Sequence, residues 1–408
     1  MLTRGKEKRN SRTKLAFQEA FLTILEERGL EKATITNIAE VAGYTRAAFY
    51  LHYQSKEELY EEFISETFSC MIDALDSTPN EYKDQSDYHF YATLRFYNYI
   101  YENATFFKIM IGQNRMPGFI SRLNVFLINY YRNRTKIPND MKENHLFENE
   151  LYLAYLSTAT VGQLIYWIKS DMKYSPYYLA KESKYIINEK PFAAIFEPSV
   201  DLLPRESLSR KPQQKLDRRI IRTKKLIKHS LLTLLSSKDY KHISIMDIVK
   251  EADINRTTFY SHYPDKQSLL SEIIEELLTG MTESIYSQSS KSNHKADRIA
   301  SPILIKLFTY IMENSIAFNA LLSGRKTPGF ISRMAEEIVK ILNGLIESYY
   351  PNKTSISFNQ DIASVMTGSA IQGVIVYWIH HQMPQCPLSI SKQLTFILTE
   401  KVEKFYRI

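Results

Sequence analysis

Cysteine is almost missing from this chain: 408 residues include only Cys70 and Cys386. Two thiols cannot build a disulfide framework or a zinc site. They fall at non-equivalent places in the two halves, so both read as packing or surface thiols. No run approaches the length of a transmembrane helix. The opening residues, MLTRGKEKRN, carry no apolar stretch of the secretory kind. No membrane partner is expected, and the location expected is the cytoplasm. Convincing strand patterns are missing too, which makes the expected fold class all-α. There is no Gly-rich phosphate loop, no HExxH spacing and no nucleophile elbow. Nothing supports an enzyme, and neither cofactor nor metal is expected.

What is present is enough apolar material for globular cores, 44% of residues, and a length that suggests two or more domains. The net charge of +7 is modest, but much of it lies in two clusters. The first is an N-terminal arm of Arg4, Lys6, Lys8, Arg9, Arg12 and Lys14. The second holds Arg205, Arg210, Lys211, Lys215, Arg218, Arg219, Arg222, Lys224 and Lys225. Such clusters read either as solvated tails or as segments that lie along phosphates.

The most informative stretch is TITNIAEVAGYTRAAFYLHYQSK, Thr34 to Lys56. Ile35, Ile38, Ala39 and Ala42 have helical spacing, and Thr34 or Thr36 can cap that helix. Gly43 suits a tight turn. Thr45 can cap a second helix from Arg46 to about Tyr53, and Ser55 to Glu58 form a capping box for a third. This is a helix-turn-helix pattern, with an αα-hairpin as the competing reading. In a helix-turn-helix the second helix enters the major groove, which would bring Thr45, Arg46 and Ala47 to base edges.

Around this stretch the chain reads as helices throughout. They run from about Ser11 to Glu27, Lys56 to Leu75, Tyr88 to Ile111, Gly118 to Arg134, Glu148 to Lys169 and Ser175 to Glu189. Asp76 to Ser86 is polar and reads as a loop. Residues 191–215, punctuated by Pro191, Pro198, Pro204 and Pro212, read as a linker.

The architecture then repeats. An offset of 210 carries Arg12-Thr13-Lys14 onto Arg222-Thr223-Lys224, Arg46 onto Arg256, Phe49-Tyr50 onto Phe259-Tyr260 and Lys56 onto Lys266. An offset of 211 carries Pro117-Gly118-Phe119-Ile120-Ser121-Arg122 onto Pro328-Gly329-Phe330-Ile331-Ser332-Arg333, and Tyr166-Trp167-Ile168 onto Tyr377-Trp378-Ile379. One slip of a single residue across some 200 positions excludes coincidence.

Both copies resemble the TetR/AcrR family of transcriptional regulators. The residues that carry the resemblance are Thr34 to Ala39, Gly43, Phe49 to Tyr53 and Lys56 to Leu59. In the second copy they are Ser244 to Val249, Phe259 to Tyr263 and Lys266 to Leu269. The C-terminal portions also look like an effector-domain type of Firmicutes regulators, a weaker match. The resemblance implies two units in tandem. It divides the chain into a helix-turn-helix domain (1–75), an effector/dimerisation domain (76–190), the linker (191–215), a second helix-turn-helix domain (216–280) and a second effector/dimerisation domain (281–408).

The resemblance implies a sequence-specific DNA-binding regulator, with repression the expected sense. Its partner is a double-stranded operator, and its effector a small apolar or aromatic molecule. Family members act as homodimers through their last two helices. Here those are Glu148–Lys169 with Pro176–Glu189, and Asn359–His380 with Pro387–Phe405. Fusion would make the chain an intrachain pseudo-dimer, with further oligomerisation open; the competing reading is that these helices close each unit's own core. A linker of about 25 residues can span roughly 80 Å. The alternative function is a ligand-binding or scaffolding protein with weakened DNA heads.

Arg46 and Arg256 suit bidentate contact with guanine, with phosphate as the competing target. Thr45, Asn255 and Thr257 can bond to bases or phosphates, and Tyr44 can reach either. Thr34, Thr36, Ala47 and Ser244 complete the expected surface. By resemblance, Tyr50 and Tyr260, His52 and His262, and Lys56 and Lys266 match phosphate-contacting positions; for the tyrosines and histidines, packing on the first helix competes. Candidate effector-lining aromatics are Tyr97, Tyr101, Phe107 and Tyr166, then Phe308, Phe318 and Tyr377. Each reads equally as core.

Overall fold

The computed structural model describes residues 2–76, 85–112, 118–134, 148–198, 218–287, 300–323, 327, 329–350 and 358–400. Among these every regular element is a helix. The chain divides into two compact units. One comprises residues up to Arg134 together with Thr160–Ile186; the other holds Thr135–Ala159 and everything from Ile187 onward. The second unit therefore contains stretches of the first sequence repeat.

In the first unit, α1 (Leu2–Arg28) leads through a 3-10 turn (Leu30–Lys32) to α2 (Ile35–Val41), α3 (Arg46–Tyr50) and α4 (Lys56–Asp76). α1 begins nine residues earlier than its apolar pattern predicts, so the basic arm is helical; its Lys, Arg and Glu are good helix formers. Phe17, Phe21, Ile24, Leu25, Ile38, Phe49 and Leu59 form the buried centre of this head. Local bonds fix the elements. Thr34 Oγ1 accepts from Asn37 N at 3.2 Å and Thr45 Oγ1 from Ala48 N at 3.1 Å. Ser55 Oγ accepts from Glu58 N at 3.1 Å. The reciprocal half of the expected capping box shifts by one residue, because the Glu58 carboxylate accepts from Gln54 N.

The second unit rebuilds this head with α11 (Arg218–Leu235), a 3-10 turn (Tyr240–His242), α12 (Ile245–Glu251), α13 (Arg256–His262) and α14 (Lys266–Tyr286). Ser244 and Asp247 make a complete capping box, and Asn255 caps α13. The turn that uses Gly43 at φ +74° in the first head uses Asp253 at φ +52° in the second. Aspartate is among the few non-glycine residues that visit the left-handed region readily.

Behind the first head lie α5 (Gln85–Glu102), α6 (Ala104–Ile111), α7 (Phe119–Arg134), α8 (Asn149–Lys169) and α9 (Pro176–Glu189). The single helix predicted from Tyr88 to Ile111 is broken at Asn103. The Asn103 amide donates back to Tyr99 O at 2.8 Å, competing with the helical ladder. The second unit repeats this: α15 (Pro302–Glu313) and α16 (Ser315–Ser323) part at Asn314, whose amide bonds Tyr310 O at 2.9 Å. α17 (Phe330–Tyr349), α18 (Gln360–His380) and α19 (Pro387–Thr399) complete it.

Two sequence expectations need revision. α18 is long and apolar enough to cross a membrane by length and composition, contrary to the expectation that no such run exists. It is mostly buried inside its unit, as befits a core helix that is apolar all round. Residues 191–196, at the start of the expected linker, hold a short helix, α10 (Ala193–Phe196). Phe192, Ile195 and Phe196 are buried there, with Phe192 edge-on to Phe358 at 5.8 Å. Most of the rest of that stretch, and the arginines and lysines at 205–215, lie outside the described residues, as do residues 77–84 of the loop expected at 76–86, whose ends Asp76 and Gln85–Ser86 are helical.

The second unit also packs first-repeat residues of α8 against α18 and α19. A Cβ added to Gly373 would overlap the Thr158 side chain. Glu148 N donates to Gln393 Oε1 at 2.9 Å, and Gln385 Nε2 donates to the Glu148 carboxylate.

Candidate nucleic-acid interface

Each recognition helix begins with an exposed arginine held in the same way. Arg46 Nη2 donates to Tyr50 Oη at 3.1 Å, with its guanidinium 5.5 Å from the ring centre. Arg256 Nη2 donates to Tyr260 Oη at 3.3 Å, at 5.4 Å from the ring. The i,i+4 spacing on one helix face makes the pair. Tyr50 and Tyr260 are themselves exposed, so arginine and phenol form one solvent-facing donor surface in each head. Thr36, Ala47 and Thr257 are also exposed. Thr34, Thr45, Ser244 and Asn255 spend their side-chain oxygens on helix caps. The Asn255 amide nitrogen remains a donor for an outside partner.

The support beneath the two surfaces differs. In the first head Phe17 gathers an aromatic cluster: Tyr44 at 5.4 Å, Phe49 at 5.2 Å, His52 at 6.0 Å and Tyr53 at 6.4 Å. Tyr44 thus leans on α1 while keeping an exposed edge. Burial, and then the nearby Lys14 charge, lower the pKa of His52, leaving a neutral ring that can donate one N–H. In the second head Ile227 and Ile254 replace Phe17 and Tyr44.

Two lysines counted in the basic clusters do structural work instead. Lys14 pairs with Glu62 at 2.5 Å, and Lys224 with Glu272 at 3.1 Å. Lys228 joins the second pair, reaching Glu272 at 2.7 Å and Glu276 at 2.5 Å. Burial opposes ionisation of Glu272, yet the hydrogen bonds from Lys228 and Lys224 prevail and its pKa is lowered. These ties bind the first helix of each head to the fourth.

The recognition-helix geometry, present twice, agrees with comparisons to known proteins. A family model described as "Bacterial regulatory proteins, tetR family" matches residues 19–63 and again 230–273. One described as "Transcriptional regulator C-terminal region" matches 90–189 and 299–400. The chain belongs to the TetR family, as a tandem of two units. It is 23% identical over 398 residues to the uncharacterized HTH-type transcriptional regulator YxbF of Bacillus subtilis (strain 168), covering 95% of this chain and 97% of that one. Among solved structures, a TetR transcriptional regulator from Streptococcus agalactiae 2603V aligns at 24% identity and a TM-score of 0.34, over 45% of this chain and 95% of that chain. The dihydroxyacetone kinase operon activator DhaS aligns at 22% and 0.32, over 46% and 99%. The protein is a helix-turn-helix transcriptional regulator that binds DNA.

The two TetR heads differ at the lysine opening their fourth helix. Lys56 makes no ion pair or hydrogen bond among the described residues. Lys266 donates to Tyr240 O at 2.7 Å and Ile243 O at 2.5 Å, with its ammonium 4.2 Å from the Tyr240 ring centre. Burial lowers its pKa, against an opposing Asp247 charge. The first head has Leu30 where the second has Tyr240. The offset of 210 equates the two lysines, but the ring at 240 gives Lys266 a cation–π partner that Leu30 cannot give Lys56.

The candidate effector residues also separate. Phe107, Phe308 and Phe318 are fully buried core. Tyr101 is 54% exposed, stacked on Trp167 at 6.2 Å. Tyr377 is partly exposed beside His381, and Tyr166 carries the Lys173 ammonium 5.5 Å from its ring centre. Tyr97 alone of the set is both buried and polar, with its hydroxyl 2.5 Å from Gln163 Oε1.

Proposed function

We propose that one chain acts as a pseudo-dimer, laying both heads on a single pseudo-palindromic operator to repress transcription in the cytoplasm until a small molecule releases it. The observation that carries this reading is the packing of Thr158 and Glu148, from the first repeat, on Gly373 and Gln393 of the second within one compact unit. Small residues at such a crossing let helix backbones approach closely. Joining the two halves covalently replaces a bimolecular association with an intramolecular one.

In each half-site, Arg46 or Arg256 would leave its tyrosine and read a guanine, while Tyr50, Tyr260, His52, His262 and Lys56 hold phosphates. Phosphate contacts fix register and base contacts specify. Lys266 would serve by fixing the turn before α12. Sedimentation of the protein with its minimal operator tests the assembly: one chain per duplex is expected, and two chains per minimal duplex would overturn it. Transcription from an operator-bearing promoter, with and without the protein, tests the regulatory sense.

A further inference from the structure

The first unit encloses a polar cluster that the second repeat has replaced. Tyr97, Gln163 and Ser183 are all buried. Tyr97 Oη donates to Gln163 Oε1 at 2.5 Å. Ser183 Oγ lies 2.9 Å from the same oxygen and 2.8 Å from Leu179 O, so its one proton has two acceptors. Tyr131 and Thr160 form a neighbouring hydroxyl pair at 2.8 Å. Gln163 Nε2, with two N–H donors, is buried and has no hydrogen-bond partner among the described residues. A buried polar group ordinarily has one, and an orphan calls for an explanation.

The offset of 211 provides an internal comparison. Tyr97, Tyr131, Thr160, Gln163 and Ser183 correspond to Phe308, Leu342, Ile371, Val374 and Leu394. All five replacements are buried and apolar. The same helices therefore close without any of these polar groups, and the fold does not require them. The indole beneath is kept: Trp167 takes Tyr97 edge-on at 5.6 Å, and Trp378 takes Phe308 at 5.2 Å.

We propose that the chain carries one small-molecule site, in the first unit at Tyr97, Gln163 and Ser183, and that the corresponding place in the second repeat is a closed core. The ligand is a small uncharged molecule with an apolar body and a carbonyl-type oxygen. Gln163 Nε2 donates to that oxygen, and the edge-on Tyr97–Trp167 pair offers the body an aromatic wall. Charge is disfavoured because every polar side chain in the cluster is neutral. The proposal rests on the effector reading above and gives it a location and a stoichiometry.

The test uses the full chain labelled with 15N at glutamine, with cyclohexanone as probe. The Gln163 side-chain amide pair, identified by its loss in Gln163→Val, should shift saturably. Gln372 and Gln393, on the corresponding helices of the second repeat, should not. The probe should raise the Tm of the wild type and not of the triple variant Tyr97→Phe, Gln163→Val, Ser183→Leu, which carries the second repeat's own residues and should fold. A Gln163 signal that stays still, because only water meets the amide, overturns the proposal, as does equal stabilisation of the triple variant. Operator affinity is read in parallel. Binding at Gln163 without operator release leaves the site standing and removes the effector reading. Release from wild type and triple variant alike removes the site and leaves that reading standing.

Discussion

Thr158 fills the space where Gly373 has no side chain, joining residues 215 positions apart in the sequence. Gly373→Ala forces a methyl group into the hydroxyl and methyl of Thr158. Overpacking of this kind costs roughly 1–3 kcal/mol. Thermal unfolding should show Gly373→Ala destabilised, and Thr158→Gly in the same chain should recover most of the loss. A double variant no better than Gly373→Ala would mean that this contact does not limit stability.

The arginine at each recognition helix should govern one half-site. A homodimer must present identical heads, but this chain presents Tyr44-Thr45-Arg46-Ala47 in one and Ile254-Asn255-Arg256-Thr257 in the other. Operators selected by the wild type should be imperfect palindromes with half-sites about one helical turn apart. Arg46→Ala should relax the guanine preference in one half and Arg256→Ala in the other, each at a cost of about 1–3 kcal/mol. If both variants relax the same half, the assignment of heads to half-sites fails.

Lys56 and Lys266 should behave differently despite their equivalent positions. Lys56→Ala should leave Tm nearly unchanged and reduce the salt slope of DNA binding by about 1. Lys266→Ala removes two charge-assisted bonds to the turn carbonyls, a loss on the order of 1–3 kcal/mol. Paired salt titrations and melting curves decide. Equal effects of both substitutions on the slope, with Tm unmoved, would make Lys266 an ordinary phosphate ligand.

Lys190 is 7% exposed, and burial pushes its pKa down to about 7 from 10.5. Between those values the unfolded chain holds a proton that the folded chain has released, so stability rises with pH across that window. Below about 7 the folded state carries the full cost of the buried charge. Lys190→Met should therefore stabilise the protein most below neutrality, on the order of 2–4 kcal/mol, and the advantage should vanish near pH 10.5. Denaturant unfolding of both proteins across that range checks it. A pH-independent difference would show that the gain comes from packing alone.

Sequence alone determined the all-α class, the duplication with its offsets, and the caps at Thr45 and Ser55, with Thr34 or Thr36 for the helix before them; the caps at Ser244 and Asn255 came from the structure. The caps of the first head are legible because a cap is a bond between residues three apart, decided by local chemistry. The apolar face of α1 and the turn at Gly43 were legible for the same reason. The break at Asn103 is local as well, a bond to a carbonyl four residues back, but the aromatic periodicity through it masked the signal. Tertiary structure alone decided that Lys14 faces Glu62 across 48 positions, that Tyr97 meets Gln163 across 66, and that Lys266 folds back onto a turn 26 residues earlier. It also decided that Thr158 meets Gly373. Such pairs carry no period and no spacing rule. They form where packed helices bring two faces together, and there burial converts a lysine from a solvated charge into a clamp and leaves a glutamine amide without a partner among the described residues.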